Sequence, residues 1–241
     1  MTETPGPAEF AAPTHHHADV SGGWLRAAVF GAMDGLVTNI ALVAGVGGGG
    51  ADRHMIILTG MAGLVAGAFS MALGEFASVD TQNAAVASEV AVEREEIRIN
   101  PLAEQAELVR AYEELGLTRS TAEAMAREVH ANPELALKVH VAHELGVDVD
   151  EQPSPWIAAV SSFLCFAVGG LVPLVPFLLG SSSLVVALLV GAVGLFTVGA
   201  LTSRFTTRTW FVSGLRQLGF GALAAGATYL VGTLIGVGIT G

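Results

Sequence analysis

The chain is short of charge and nearly without cysteine. Only 11 of its 241 residues are Lys or Arg, and charged residues of both signs make up 14%, against about 25% in an ordinary soluble domain. So few charges cannot clothe a water-facing surface of this size. The one cysteine, Cys165, lies in an apolar stretch, which excludes an intrachain disulfide and a thiolate metal cluster. It reads as a small packing residue. The first twenty residues hold three acids (Glu3, Glu9 and Asp19), no Lys or Arg and no apolar core, so no signal peptide is expected there. The tail at 1–22 is expected to be disordered. Its His15–His17 run could capture a metal but in such a tail is more often incidental.

Hydrophobic residues are abundant instead, at 52% with a mean hydropathy of +0.60. The 30 glycines and 9 prolines suit membrane helices, which tolerate both. A helix needs about 20 mostly apolar residues to cross the hydrocarbon, and five segments qualify: 24–46, 56–79, 156–179, 184–201 and 211–238. Trp24, Trp156 and Trp210 stand at span entrances, where amphipathic rings prefer the interface. The expected fold is an all-α membrane protein with an acidic, helical, cytoplasmic domain inserted between spans two and three. Its parts are the tail, spans one and two at 23–82, the insertion at 83–152, and spans three to five at 153–241. Arg26, Arg204 and Arg208 fall on one side of the membrane and only Arg53 on the other. The positive-inside rule then places the N-terminus and the insertion in the cytoplasm and the C-terminus outside.

Between Ala84 and Gln152 stand 15 acids and 6 bases, a surface that repels nucleic acid and attracts cations. Helix punctuation is clear there. The second span runs on as a helix to about Ile99. Asn100–Pro101 and Asn132–Pro133 give a cap followed by Pro at the first helical position, Thr118 caps the helix between them, and Gly116 and Gly146 end helices. The pairs Gly31/Gly35, Gly63/Gly67 and Gly232/Gly236 allow close helix approach, within one bundle or across a dimer seam.

An ionised side chain inside a span costs several kcal/mol and by default marks an ion or substrate path. Asp34 lies mid-span in the first segment, with Arg216 of the fifth as the one embedded base able to neutralise it. Glu75 lies in the cytoplasmic half of the second, with Met71 on the same helical face. Two carboxylates and a thioether suit a borderline transition metal better than Mg²⁺ or Ca²⁺. The plainer alternative has Glu75 snorkelling to the interface or paired with an Arg, and Met71 as packing. In the insertion, Glu93/Glu96 and Glu104/Glu107 present E-x-x-E faces on successive helices, and His140, His143 and Glu144 share a stripe on the last. Four carboxylates could surround a cation, or the helices could simply have a solvated acidic surface.

These pieces resemble the vacuolar iron transporter family. The resemblance is carried by "GAMDGLVTNIALVAGV", by "GLVAGAFSMALGEFASVDTQ", by the Glu93, Glu96, Glu104, Glu107 spacing, and by "HELG" followed by "PSPWIAAVSSFLCFAVGGLVPLVPFLL". It extends in order over nearly the whole chain after the tail. It implies a five-span protomer that forms a homodimer, and proton-coupled export of Fe²⁺ or Mn²⁺ from the cytosol. Asp34, Met71 and Glu75 would line the path, and the E-x-x-E pairs with Glu144 would bind metal in the cytoplasmic domain. Two departures stand out. Met33 replaces the Asn usual beside the key Asp. His140 and Val141 stand where members often carry Met and Glu, which adds an imidazole, removes a carboxylate and leaves Zn²⁺ a possible ligand.

The expectation is a metal–proton antiporter, not an enzyme, with no tightly bound cofactor, in the plasma (inner) membrane of a bacterium. Its partners would be divalent ions, protons and lipid. A di-iron oxidase would need Glu-x-x-His on bundle helices, and no Glu here is followed three residues later by His. A membrane-anchored sensor or storage module remains the rival, although it has no use for a buried acid such as Asp34.

Overall fold

The computed structural model describes residues 24–205 and 207–240, the last four by backbone alone, so the tail at 1–22 and its histidine run lie outside the described residues. Regular structure among the described residues is entirely helical. The helices are α1 (Trp24–Gly48), α2 (Arg53–Ile99), α3 (Pro101–Glu114), α4 (Arg119–His130), α5 (Pro133–Glu144), α6 (Pro155–Leu171), the short α7 (Val175–Leu178), α8 (Leu184–Thr202) and α9 (Trp210–Thr240). Among the described residues five stretches are long and apolar enough to cross a membrane: α1, the first part of α2, α6 with α7, α8 with the turn after it, and α9 to Gly236.

The expected continuation of the second span is complete. With no Pro between Arg53 and Ile99, α2 runs unbroken for 47 residues, about 70 Å at 1.5 Å per residue. Asp52 caps its start, its side chain accepting the Met55 N–H at 2.8 Å. Helices α3 to α5 begin and end close to where the punctuation placed them, although the Asn100 side chain makes no cap bond to α3 and donates instead to Glu96. The Asn132 side chain accepts the Glu134 and Leu135 N–H groups, and Gly116 and Gly146 adopt φ of +97° and +65°. Thr118 stands at the start of α4, but its hydroxyl contacts Ser120 and Thr121 rather than a backbone N–H. The inserted domain closes around Val90 of α2 and Leu137 and Val141 of α5, while Leu108, Ala111, Ala122 and Ala126 are buried where α3 meets α4.

Helix α1 is the centre of the apolar bundle, packing against α2, α6, α8 and α9. Lipid tails supply no hydrophobic force between helices, so their association rests on close packing and polar links. At Gly35 a side-chain carbon would fall on the Phe166 carbonyl of α6, and at Gly232 on the Gly45 carbonyl of α1. Gly63 and Gly67 meet Leu42 and Phe166. All three small-residue pairs thus find neighbours within the one chain. Polar links follow the same seams. Thr228 Oγ1 donates to the Ala41 carbonyl at 2.7 Å, and Asn39, fully buried, donates through Nδ2 to the Gly170 carbonyl at 2.6 Å.

Pro173 and Pro176 break α6 as expected of residues that lack the N–H. The chain passes through a tight turn at Val172–Leu174 into α7. Carbonyls released by such a break need new donors inside an apolar bundle. Asn39 supplies one at Gly170. Past the break, Arg53 Nε donates at 2.7 Å to the Phe177 carbonyl at the end of α7, which also accepts the Gly180 N–H. The break is therefore tied on both sides.

Gly35→Ala is expected to cost about 1–3 kcal/mol by overpacking a backbone contact. Gly219→Ala, where nothing stands within 4 Å, should be neutral or slightly stabilising. Melting of the detergent-solubilised variants distinguishes them, and equal melting temperatures would refute the tight α1–α6 seam.

Candidate metal centre

Among the described residues one group of three His, Cys, Asp or Glu donors lies close enough to share an ion. It is Glu93, Glu104 and His140, whose ligand atoms all fall within 4.8 Å of one another. Three elements deliver them: α2 brings Glu93, α3 brings Glu104 after the Asn100–Pro101 turn, and α5 brings His140 and Glu144 one helical turn apart. His140 is 2% exposed. Its Nδ1 lies 3.2 Å from Glu93 Oε1, 3.3 Å from Glu144 Oε1 and 3.8 Å from Glu104 Oε2. Its other nitrogen, Nε2, lies 3.0 Å from Nε2 of His130 on α4. The Glu93 Oε1 atom is buried and accepts no hydrogen bond. Three carboxylates thus face a single imidazole nitrogen, with more acceptor capacity than donors to fill it.

The electrostatics carry the same strain. Burial pushes the Glu93 carboxyl above the ordinary glutamate range. Glu144, Glu104 and Glu107 push it further, against a pull from His140. Glu104 is raised by burial first and then by Glu107, Glu144 and Glu96, again opposed by His140. His130 is lowered by burial and by its neighbour His140. A cation among these groups would relieve the mutual repulsion of the carboxylates. Oxygen and nitrogen donors together fit a borderline divalent ion.

The remaining expected residues divide. Glu96 and Glu107 stand at the rim: Glu96 accepts the Asn100 side-chain amide at 2.9 Å, and Glu107 is exposed. The E-x-x-E motifs therefore contribute one inward carboxylate each. His143 is exposed and lines a surface groove with Lys138, Asp148 and Asp150. In the bundle, Glu75 is buried and pairs with Arg26 of α1 at 2.9 Å, the Arg partner that the plainer reading allowed. Asp34 accepts the Thr38 hydroxyl at 3.4 Å, and among the described residues no base lies within ion-pair distance of it. Arg216 is exposed on α9 and does not neutralise Asp34. Asp34, Met71 and Glu75 are each half-buried or buried, on the two helices whose polar residues face one another through the Arg26–Glu75 pair.

Two participants were missed from sequence. His130 is ten residues before His140 on another helix, and no periodicity links them. Arg26 was counted for orientation and not as a partner of Glu75, since their pairing is tertiary.

Long apolar helices joined to an acidic helical domain define an all-helical integral membrane protein. The chain belongs to the VIT family, whose model matches residues 25–233. It is 30% identical over 221 residues to vacuolar iron transporter 1 of Oryza sativa subsp. japonica, covering 89% of this chain and 88% of that protein. Vacuolar iron transporter of Acanthamoeba castellanii is 34% identical over 223 residues, with 88% and 78% covered. Vacuolar iron transporter 1 of Arabidopsis thaliana is 28% identical over 229 residues, with 91% and 90% covered. These relatives are transporters and not enzymes.

The raised carboxyls make a signed prediction for the ion-free protein. A carboxyl raised on folding binds more protons folded than unfolded between its two values, so its cost is full at neutral pH and fades as pH falls through that window. Glu93→Gln should therefore raise the melting temperature in EDTA at pH 7.5, by about 2–4 °C per kcal/mol relieved. The gain should shrink toward zero near pH 4.3, the ordinary glutamate value of about that figure. His130 works in the opposite sense, so the quantity to read is the difference between variant and parent. A difference that does not change with pH would contradict the strain.

Proposed function

We propose that this protein exports Fe²⁺ or Mn²⁺ from the cytosol in exchange for protons. The observation that carries the reading is that one unbroken helix bears both candidate stations. Glu93, at the convergence with Glu104, His140 and Glu144, lies about 27 Å along α2 from Glu75 at 1.5 Å per residue. Relatives named for vacuolar iron transport support the choice of cargo. In this reading the five apolar stretches are spans, the inserted domain and N-terminus are cytoplasmic, and the C-terminus is outside. The host membrane is the plasma membrane of a bacterium, and the working unit is a homodimer.

The acidic domain gathers the ion, because negative potential raises the local cation concentration. Glu93, Glu104, His140 and Glu144 hold it, with Glu96 and Glu107 drawing it in from the rim. It then passes to Met71 and Glu75, where it takes the place of the Arg26 guanidinium. Asp34, deeper in α1 and without a permanent cationic partner, accepts either the ion or a proton. Occupancy by one excludes the other, and that competition at a single carboxylate is the simplest physical basis for antiport. The imidazole adds a donor that ranks Zn²⁺ and Fe²⁺ above Mn²⁺ in the usual affinity order.

A membrane-anchored sensor or storage module would need only the inserted domain. Proteoliposomes carrying a pH-sensitive dye and exposed to Fe²⁺ or Mn²⁺ separate the two. Wild type should move metal with opposite proton flow. Asp34→Asn, which keeps shape and removes the titratable charge, should lower flux at least about tenfold, ~1.4 kcal/mol on the barrier, with folding unchanged. Parental flux in Asp34→Asn would remove Asp34 from the path, and no flux in wild type would favour storage.

A second expectation concerns the domain. Changing Glu93, Glu96, Glu104 and Glu107 together to Gln should abolish most high-affinity binding of Mn²⁺ by the full-length protein in calorimetry. Unchanged stoichiometry and affinity would mean that these carboxylates are only a solvated surface.

A further inference from the structure

We infer that His130 is a positioning residue for the ion site: it accepts a hydrogen bond from His140 Nε2 and thereby fixes the ring form in which His140 Nδ1 can hold a divalent cation. The inference rests on the proposed role of the Glu93–Glu104–His140 cluster and adds a residue to it from a fourth helix.

The argument is one of proton inventory. A neutral imidazole carries one proton on two nitrogens. His140 presents Nδ1 to three carboxylate oxygens at 3.2–3.8 Å, and presents Nε2 to His130 Nε2 at 3.0 Å. If Nδ1 gives its lone pair to a cation, the single proton must sit on Nε2. In a site 2% exposed, that proton needs an acceptor, because an unmet buried donor carries its full desolvation cost. Among the described residues the one acceptor offered to Nε2 is Nε2 of His130, which must then be neutral with its own proton on Nδ1. The two rings meet edge to face at 84° with centroids 5.2 Å apart, so the edge nitrogen of one is offered to the other without stacking. Metal-bound histidines generally donate their second N–H in this way, and loss of the acceptor typically costs 10–100-fold in affinity. A carboxylate usually plays that part. Here an imidazole does, which leaves the three nearby carboxylates free for the ion.

The test compares His130→Leu, His130→Gln and His140→Ala in the detergent-solubilised full-length protein. Glutamine places an amide oxygen about where His130 Nε2 stands and restores the acceptor, whereas leucine fills the space without one. Cobalt(II) is the probe, titrated while its visible absorption is followed, with melting of the ion-free proteins as the control for folding. The expected result is a 10–100-fold weaker site in His130→Leu, recovery to within about threefold in His130→Gln, and similar ion-free melting for both. Parental affinity in His130→Leu, with weakened binding in His140→Ala, would overturn this inference and leave the site reading standing. Loss in His130→Gln as complete as in His140→Ala would overturn it too, by making His130 a direct ligand. Parental affinity in His140→Ala would defeat both readings.

Discussion

An unbroken α2 is the constraint on which the two halves of this molecule depend. Leaving the apolar bundle, it must keep every backbone group paired until water can take over, and the absence of Pro between Arg53 and Ile99 lets it do so. Once rigid, it fixes the distance and rotation between Glu75 and Glu93. The inserted helices need only fold back on its far end. The Asn100–Pro101 turn sends α3 back along it, and the Val90–Leu137–Val141 contact seats α5 against it. A flexible joint after Glu75 would have left the domain tethered but unaligned. The continuous helix makes the placement of Glu93 a consequence of the placement of Glu75.

The site built on that rod is designed around an excess of acceptors. Apolar packing brings Glu93 and Glu104 inward with His140, and the same packing removes the water that would solvate them. The ion-free arrangement is therefore internally opposed. Two carboxyls are raised toward their neutral forms, one carboxylate oxygen is left without a donor, and a single imidazole faces three acids. Structural salt-bridge networks balance their charges, as Lys138 and Asp150 do on the surface nearby. Here, among the described residues, no Lys or Arg is in hydrogen-bond or ion-pair contact with His140. Such an imbalance costs stability in the empty protein, and a bound cation removes it.

Much of this was legible in the sequence because it was local. Asn132 before Pro133, Gly116 and Gly146 at positive φ, and the uninterrupted run from Arg53 to Ile99 are all decided by the nearest neighbours in the chain. Asp34 and Glu75 were conspicuous for a different local reason, as acids in apolar stretches. The E-x-x-E spacing pointed to the right helices but overstated the ligands, since a three-residue step around a helix turns one glutamate inward and leaves the other at the rim. What could not be read were contacts between elements. Arg26 with Glu75, His130 with His140, and Asn39 with the Gly170 carbonyl each join different helices, and no spacing rule encodes which rotamer meets which partner. The pairing of Arg216 with Asp34 failed for the same reason: both lie in apolar stretches, but α9 turns Arg216 outward.

Pro173 and Pro176 interrupt the third apolar segment, but its bonds, set beside the Arg26–Glu75 pair, put the easier movement elsewhere. The break after α6 is held by a fully buried amide on Gly170 and by a guanidinium on Phe177. Undoing both would cost about 0.5–1.5 kcal/mol net for the neutral bond and 1.5–3 for the charged one, besides the desolvation of any group left unpaired. Pro173, Leu174, Pro176 and Phe177 are also buried, so motion there must repack the core. The Arg26–Glu75 pair differs in kind. Its carboxylate is buried, but its guanidinium is 69% exposed outside the packed bundle, so the cation can swing off Glu75 without disturbing the packing. Removing it outright would strand a buried charge at a cost of about 3–5 kcal/mol. Replacing it with another cation incurs no such penalty, because Glu75 stays neutralised throughout. Under the transport reading, exchange at Glu75 is therefore the step the packing opposes least, and the proline break is the frame against which it occurs.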